Sequence, residues 1–525
     1  MNINIKSKFD SRYLNGKKTL VLVSLLFMVA LVSSPLVSMY SGVSPFALGA
    51  DPIDVSTESG LVDAINAAPD GVSTDIRLVR NIDLDETLKI PAGKNITLSS
   101  SRSAGYSLFG ADSKSTINVT AGAEFVLDNV IITHADGANG TGVEVSGTFM
   151  MIDGSIYNNN ATIGGGVYNE GDFRLSGGEI YNNTASNNGG GVYNDGNFNV
   201  TGGEIYGNVA RYGGGVYNKG ESFRITGGEI YKNTASTDGG GVYSEDADFT
   251  MSGGKIYSNT ASWGGGVYVS DCEFKMTGGE IYYNRVSDNG GGGFINGNCS
   301  VSGTGGVIYN NTANNNGGGV YNDAGIFDFY DGVVANNTAT DGGGIYVTTY
   351  ANVTVTYGLI ANNTATRNGG GIGVSGASTL ERVDIMRSAV FSNNRASVAY
   401  NRSSSHNDVY SAHVRDGAKW TSPFTQGYNN YDIHYTWGTR LNDTDVSPSS
   451  SPTATTSPSS SPSNSNTPRP TTPAATDPPT ESDFPWAIVI IIILVVCLVV
   501  AVLFFYTKQN GEKQAADDWI DSAAV

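Results

Sequence analysis

The chain has 525 residues, of which 69 are glycine and only 16 proline, with charged residues at 15 % and a formal net charge of −19. Abundant glycine without a triplet period excludes collagen. Thinly spread acid with no clustered Lys or Arg excludes nucleic acid as a partner, because phosphate binding needs concentrated positive charge.

Residues 1–50 read as a secretory signal. Lys6, Lys8, Arg12, Lys17 and Lys18 precede an apolar run over 20–32, and small residues follow to Ala47 and Ala50. That order is basic, apolar, small. Cleavage near Ala50 is expected; the long basic stretch leaves an uncleaved anchor as the alternative.

Residues 51–150 read as an N-terminal cap with early, less regular coils. A short amphipathic helix is expected over 58–67, with Leu61, Ile65 and Ala68 on one face. Such a helix would cover the open end of a solenoid. Strands are expected at 76–79, 88–90, 96–98, 117–119 and 125–132. Asp83 and Asp85 alternate on one strand face and read as a solvated edge rather than a cation site.

From 151 to 397 the chain repeats itself about every 25 residues, the sign of stacked units that cannot bury an apolar face alone. Gly-Gly-Gly-Val-Tyr or a near variant places an apolar residue at Val167, Val192, Val216, Val242, Val267, Phe294, Val320, Ile345 and Ile372. In the repeat over 223–243, Phe223 and Ile225 alternate with Arg224 and Thr226, Glu229-Ile230-Tyr231 follows, and Val242-Tyr243 opens a further segment. Period-two alternation means half-buried strands, so three short strands and three turns are expected per coil. No stretch is long enough for the helix of a leucine-rich or ankyrin unit. The pattern implies an all-β, right-handed parallel β-helix.

An Asn recurs three residues after a buried aliphatic, at Asn159, Asn183, Asn208, Asn233, Asn259, Asn284, Asn311, Asn337, Asn363 and Asn393. A primary amide both donates and accepts, so one Asn per coil can bond to the coils above and below as a structural ladder. Tyrosines recur in two series. One includes Tyr181, Tyr206, Tyr231 and Tyr257; the other includes Tyr193, Tyr217, Tyr243 and Tyr268. Alternation points both outward, as exposed aromatic stripes that either bind a ligand or staple neighbouring coils. Glycosylation sequons place Asn182, Asn310, Asn336 and Asn362 immediately before ladder residues, on what would be one sugar-coated edge. Cys272 and Cys299 lie about one repeat apart. With Cys299 level with Phe274 the pair is diagonal, near the limit for a disulfide, and the bond is left open.

The pairing of Gly-Gly-Gly-Val-Tyr with Ile-Tyr-x-Asn over 155–394 resembles the repeats of chlamydial polymorphic membrane proteins and of adhesin-like β-helix surface proteins of archaea and bacteria. The resemblance implies surface display and adhesion. The chain departs from the chlamydial pattern by ending in an apolar segment rather than an outer-membrane barrel.

Beyond 397 the period fails. Residues 398–446, rich in Tyr and Trp, are expected to form a C-terminal cap. Residues 447–485 are mostly Ser, Thr, Pro, Ala and Asn, an extended stalk that builds no core. Residues 486–506 carry no charge and are long enough to cross a bilayer. Lys508 and Lys513 follow them, which puts the 507–525 tail inside and the bulk of the chain outside.

Chemistry is not expected. The adjacent acidic pair Asp517-Asp518 sits in the tail, and none of His134, His406, His413 and His434 lies between glycines as a polygalacturonase-like site requires. Asp408, His406 and His413 read as surface polarity. No Lys follows the glycine triads, so they are not phosphate loops. No cofactor and no metal is expected. The membrane, glycans and the surface proteins of neighbouring cells are the expected partners. Alternatives are a structural cell-envelope component or a polysaccharide lyase or hydrolase.

Overall fold

A computed structural model describes residues 51–397, apart from 102, 104, 136–137, 377–378, 380–381 and 387, together with Ile433. The expected signal, stalk, membrane span and tail, and all of the expected C-terminal cap except Ile433, lie outside the described residues. Among the described residues, no helix is long and apolar enough to cross a membrane.

The fold is all-β, a parallel β-solenoid of about 13 turns of the right-handed type. Each regular coil contributes four strands, not three. In one coil these are Asp172–Leu175, Glu179–Tyr181, Thr184–Asn188 and Val192–Asn194. The first two belong to a 25-stranded sheet that bends at the Gly177-Gly178 pair; the third and fourth build sheets of 9 and 12 strands. The strand that alternation missed is Thr-Ala-Ser in character. It buries one small residue per coil, in a satellite cluster of Ala235, Ala261, Val286, Ala313 and Ala339.

Register is set by identical residues standing one above another. Phe173, Phe198, Phe223, Phe249 and Phe274 pair in sequence, with successive ring centroids 4.7, 5.2, 4.7 and 4.6 Å apart. That is the natural separation of neighbouring strands. A shift of one residue would turn every Phe out to water, so burial enforces the alignment.

The glycine triad explains itself at 189–191. Gly189 adopts φ +66°, and a Cβ on Gly191 would lie 2.7 Å from the carbonyl oxygen of Gly215 in the next coil. Only glycine lets the coils approach so closely.

The Asn ladder runs as expected from Asn159 to Asn363. Asn208 Nδ2 donates to Asn233 Oδ1 at 3.0 Å and to the Ile180 carbonyl at 2.9 Å, while its oxygen accepts from Asn183 Nδ2 at 3.0 Å. The last rung is Asn394, not Asn393: Asn363 Nδ2 donates to Asn394 Oδ1 at 3.1 Å. Asn393 holds the left-handed turn beside it, with φ 54°. An Asn-Asn doublet leaves the choice of rung ambiguous by one position.

A helix spans Glu58–Ala67, and Thr57 Oγ1 accepts from the Gly60 amide at its N-terminus. Its Leu61, Ala64 and Ile65 are buried. The expected early strands lie in the same parallel sheets as the repeats, Val143 pairing with both Ile117 and Val167, but the strand expected at 125–132 is divided into Glu124–Leu127 and Val130–His134 by a left-handed turn at Asn129, φ 56°. At the other end Ile433 bridges Ile372 in parallel and is fully buried.

Candidate functional site

A groove of about 1000 Å³ runs along the outside of the long sheet where it bends, from Ser103 and the coil of Ile131 to the coil of Val307. Its floor is the Gly-Gly pairs, which bring bare backbone to the surface. Its wall is a column in register: Glu179, Glu204, Glu229, Lys255, Glu280 and then Val307. Like charges stacked on neighbouring strands repel, and two features offset this. Lys255 Nζ donates to Glu229 Oε1 at 2.9 Å. This contact holds the Glu229 carboxyl below its ordinary value, against the opposing effect of burial. In addition, each carboxylate accepts a phenol from the next coil. Tyr206, Tyr231, Tyr257 and Tyr309 donate to Glu179, Glu204, Glu229 and Glu280 at 3.1, 2.6, 2.8 and 2.8 Å. One oxygen of each Glu is thereby fixed by a tyrosine of the same wall. The signal for this column in the sequence is the recurring Gly-Gly-Glu-Ile-Tyr.

The first tyrosine series, Tyr181, Tyr206, Tyr231 and Tyr257, stands half-buried beside this column. The rings stack at 5.0, 4.9 and 4.9 Å with planes within 12° of parallel. Each ring face is covered by the ring above or below, and the hydroxyls of Tyr206, Tyr231 and Tyr257 act on the groove through the carboxylates they hold. Burial first, and the acceptor carboxylates second, push Tyr206, Tyr231 and Tyr257 well above the ordinary phenol value.

The second series departs from the expected exposed stripe. Tyr193 is half-buried, but Tyr217, Tyr243 and Tyr268 are only 5, 8 and 5 % exposed. Alternation places them on the outer face of their strand, where the corner leading into the glycine triad folds over them. Tyr212 lies across Tyr243 with centroids 5.7 Å apart. A Cβ on Gly239 would come within 2.7 Å of Tyr243 Cβ. The result is an outer aromatic core of Tyr217, Tyr243, Tyr268 and Phe294.

The sequon residues Asn182, Asn336 and Asn362 are exposed and Asn310 is half-exposed. All four hold the left-handed turn, at φ 52, 56, 54 and 55°. Asp83 and Asp85 are exposed. His134 is buried at the head of the Asn ladder, Nδ1 lying 2.7 Å from Asn159 Oδ1 and Nε2 2.9 Å from the Lys114 carbonyl. Asp408, His406 and His413 lie outside the described residues. Among the described residues, no group of three or more His, Cys, Asp or Glu is placed to hold a metal ion.

Comparison with protein-family models, with curated proteins and with solved structures finds no match. The reading of function therefore rests on the groove itself.

Proposed function

We propose that this chain is a membrane-anchored cell-surface rod of the adhesin kind, which holds an extended glycan, or the glycan coat of a neighbouring cell, in the groove along Glu179–Glu280. In this reading residues 1–50 direct secretion, 447–485 lift the solenoid from the membrane, and 486–506 anchor it. The helix at Glu58–Ala67 covers the first coil, and sugars on Asn182, Asn310, Asn336 and Asn362 coat a different corner from the groove. No catalytic role is assigned.

The observation that carries the reading is the groove's continuity across coils, with carboxylates held at strand spacing by their tyrosine partners. Fixed acceptors beside bare backbone suit the regularly repeated hydroxyls of a polysaccharide, because little ordering entropy is lost when they engage. The eight tyrosines then have unequal parts. Tyr181, Tyr206, Tyr231 and Tyr257 stand beside the ligand, whereas Tyr193, Tyr217, Tyr243 and Tyr268, on a different sheet, act as staples between coils.

The test is a glycan array with the full chain and with Glu204→Gln/Glu229→Gln. Binding that falls at least about tenfold in the double variant supports the reading. Binding that is absent, or indifferent to those substitutions, overturns it. The covered ring faces favour a second reading, a structural envelope component whose stiffness is its function. Ordered lateral packing of glycan-indifferent rods would support that one.

A further inference from the structure

Cys272 and Cys299 are both buried, 8 and 1 % exposed, and their sulfurs are 3.9 Å apart. The diagonal expected from the sequence is wrong. Glu273 pairs with Ser300 and Phe274 with Val301, so the two cysteines, each one residue earlier, are stacked directly in neighbouring coils. In the same column other coils carry Gly171, Gly196, Ala247, Gly325 and Ala351, and Glu221, which is exposed. At the glycines the column is tight: a Cβ on Gly171 would meet the Gly147 carbonyl at 2.1 Å. One cysteine in a column of small residues is packing. Two consecutive ones in contact, among the few cysteines of the chain, are a pair.

We propose that Cys272 and Cys299 are a redox clasp that closes into a coil-to-coil disulfide. Adjacent strands lie about 4.8 Å apart, inside the Cα separations that a disulfide spans, so closure needs side-chain rotation and no backbone shift. The step is an exchange with a low-molecular-weight disulfide. One cysteine sulfur displaces the first thiol, giving a mixed disulfide; the other then attacks that sulfur and displaces the second. Two thiols become one cystine, the oxidant is reduced to two thiols, and the two cysteine protons leave with them. The Cys272 N–H and thiol both lie against Cys299 Sγ, at 3.3 and 3.9 Å. This contact favours thiolate at Cys299 and protonated sulfur at Cys272.

The clasp sits beside an under-packed stretch of the core. In the inner column running Leu175, Val200, Ile225, Met251, Met276, the next position is Gly303. A cavity of about 30 Å³ lies beside it, lined by Met276, Val301 and Phe329 among others. A cross-link one strand-length away would hold the under-packed coil to its neighbour.

The test uses the full chain carrying Cys497→Ser, equilibrated with oxidised glutathione, then denatured, alkylated and mapped. A linked 272/299 peptide with no free thiol is expected. Two alkylated thiols, glutathione adducts or intermolecular links would overturn the proposal. In the oxidised chain, backbone amides of Ser300–Tyr309 should exchange about tenfold more slowly than in the reduced chain. Cys272→Ser should abolish that redox dependence. Equal exchange in both states would refute the clasp as a stabilising device.

Discussion

Coils between 172 and 294 and those between 299 and 361 follow one path with different side chains. The earlier coils stack Phe on Phe in the core and Glu-Ile-Tyr along the groove. In the later ones Val301 takes the Phe position, Gly303 the Met position, Val307 and Val333 the Glu position, and Ala335 the Tyr position. Across the bend, two short strands become the single strands Ser300–Tyr309 and Ile326–Ala335, with Gly306 and Gly332 still at positive φ and the register irregular between Gly303 and Val307. Two features do not change. Asn311, Asn337 and Asn363 continue the ladder at 3.0, 3.0 and 3.1 Å, and triads at 317–319, 342–344 and 369–371 turn each corner. The amide ladder and the glycine corner hold the coil; the aromatic stacks are replaceable filling.

The largest expected effect therefore comes from cutting the ladder. Asn233→Leu leaves the Asn208 backbone amide and one of the two Nδ2 hydrogens, both bonded to Asn233 Oδ1 at 3.0 Å, without an acceptor. It also removes the donor to the Ile205 carbonyl. A loss of about 4 kcal/mol is expected in urea unfolding, from buried groups left unsatisfied. A loss under about 1 kcal/mol would mean that the ladder is not what holds the coils.

Next come the glycines, where the two regions should part. A Cβ on Gly241 would lie 2.6 Å from the Gly266 carbonyl, so Gly241→Ala should cost about 3 kcal/mol. At Gly303 the nearest atom is Phe329 Cδ2, at 3.0 Å, and a ring beside a void can move. Gly303→Ala should change stability by less than about 1 kcal/mol. Equal costs in thermal melts would break the contrast.

The repetitive features were legible because they are literal: the triads, the ladder and the core alternation can be read from residue spacing. What escaped depended on neighbours distant in sequence or on weak local signals. The 234–238 strand is polar except for Ala235, so no apolar alternation marks it. The burial of Tyr243 depends on Tyr212 folding across it. The groove's Glu column was visible at 179, 204, 229 and 280, but its meaning needed the bend that turns those side chains toward a common cleft.

The smallest effect compares two aspartates that immediately precede a triad. Asp341 is paired with Arg367, whose Nε lies 3.0 Å from Oδ1. Asp238 is buried with Oδ1 unpartnered. Burial raises the Asp238 carboxyl to about 6, with Arg211 opposing, from an ordinary 3.8. A folded value above the unfolded one means that stability falls as pH rises from about 4 to 6 and stays lower above that. Asp238→Asn should therefore add about 1 kcal/mol at pH 7 and nothing at pH 3, read by thermal unfolding. The same gain at both pH values would contradict burial as the cause.

Side-chain carboxamide exchange tests the stacking most directly, because Asn182 and Asn183 are chain neighbours with opposite surroundings. Asn183 and its counterparts through Asn363 are buried and hydrogen-bonded coil to coil, so their amide protons should be strongly protected while those of Asn182 exchange freely. Ladder amides exchanging as fast as Asn182 would contradict the account.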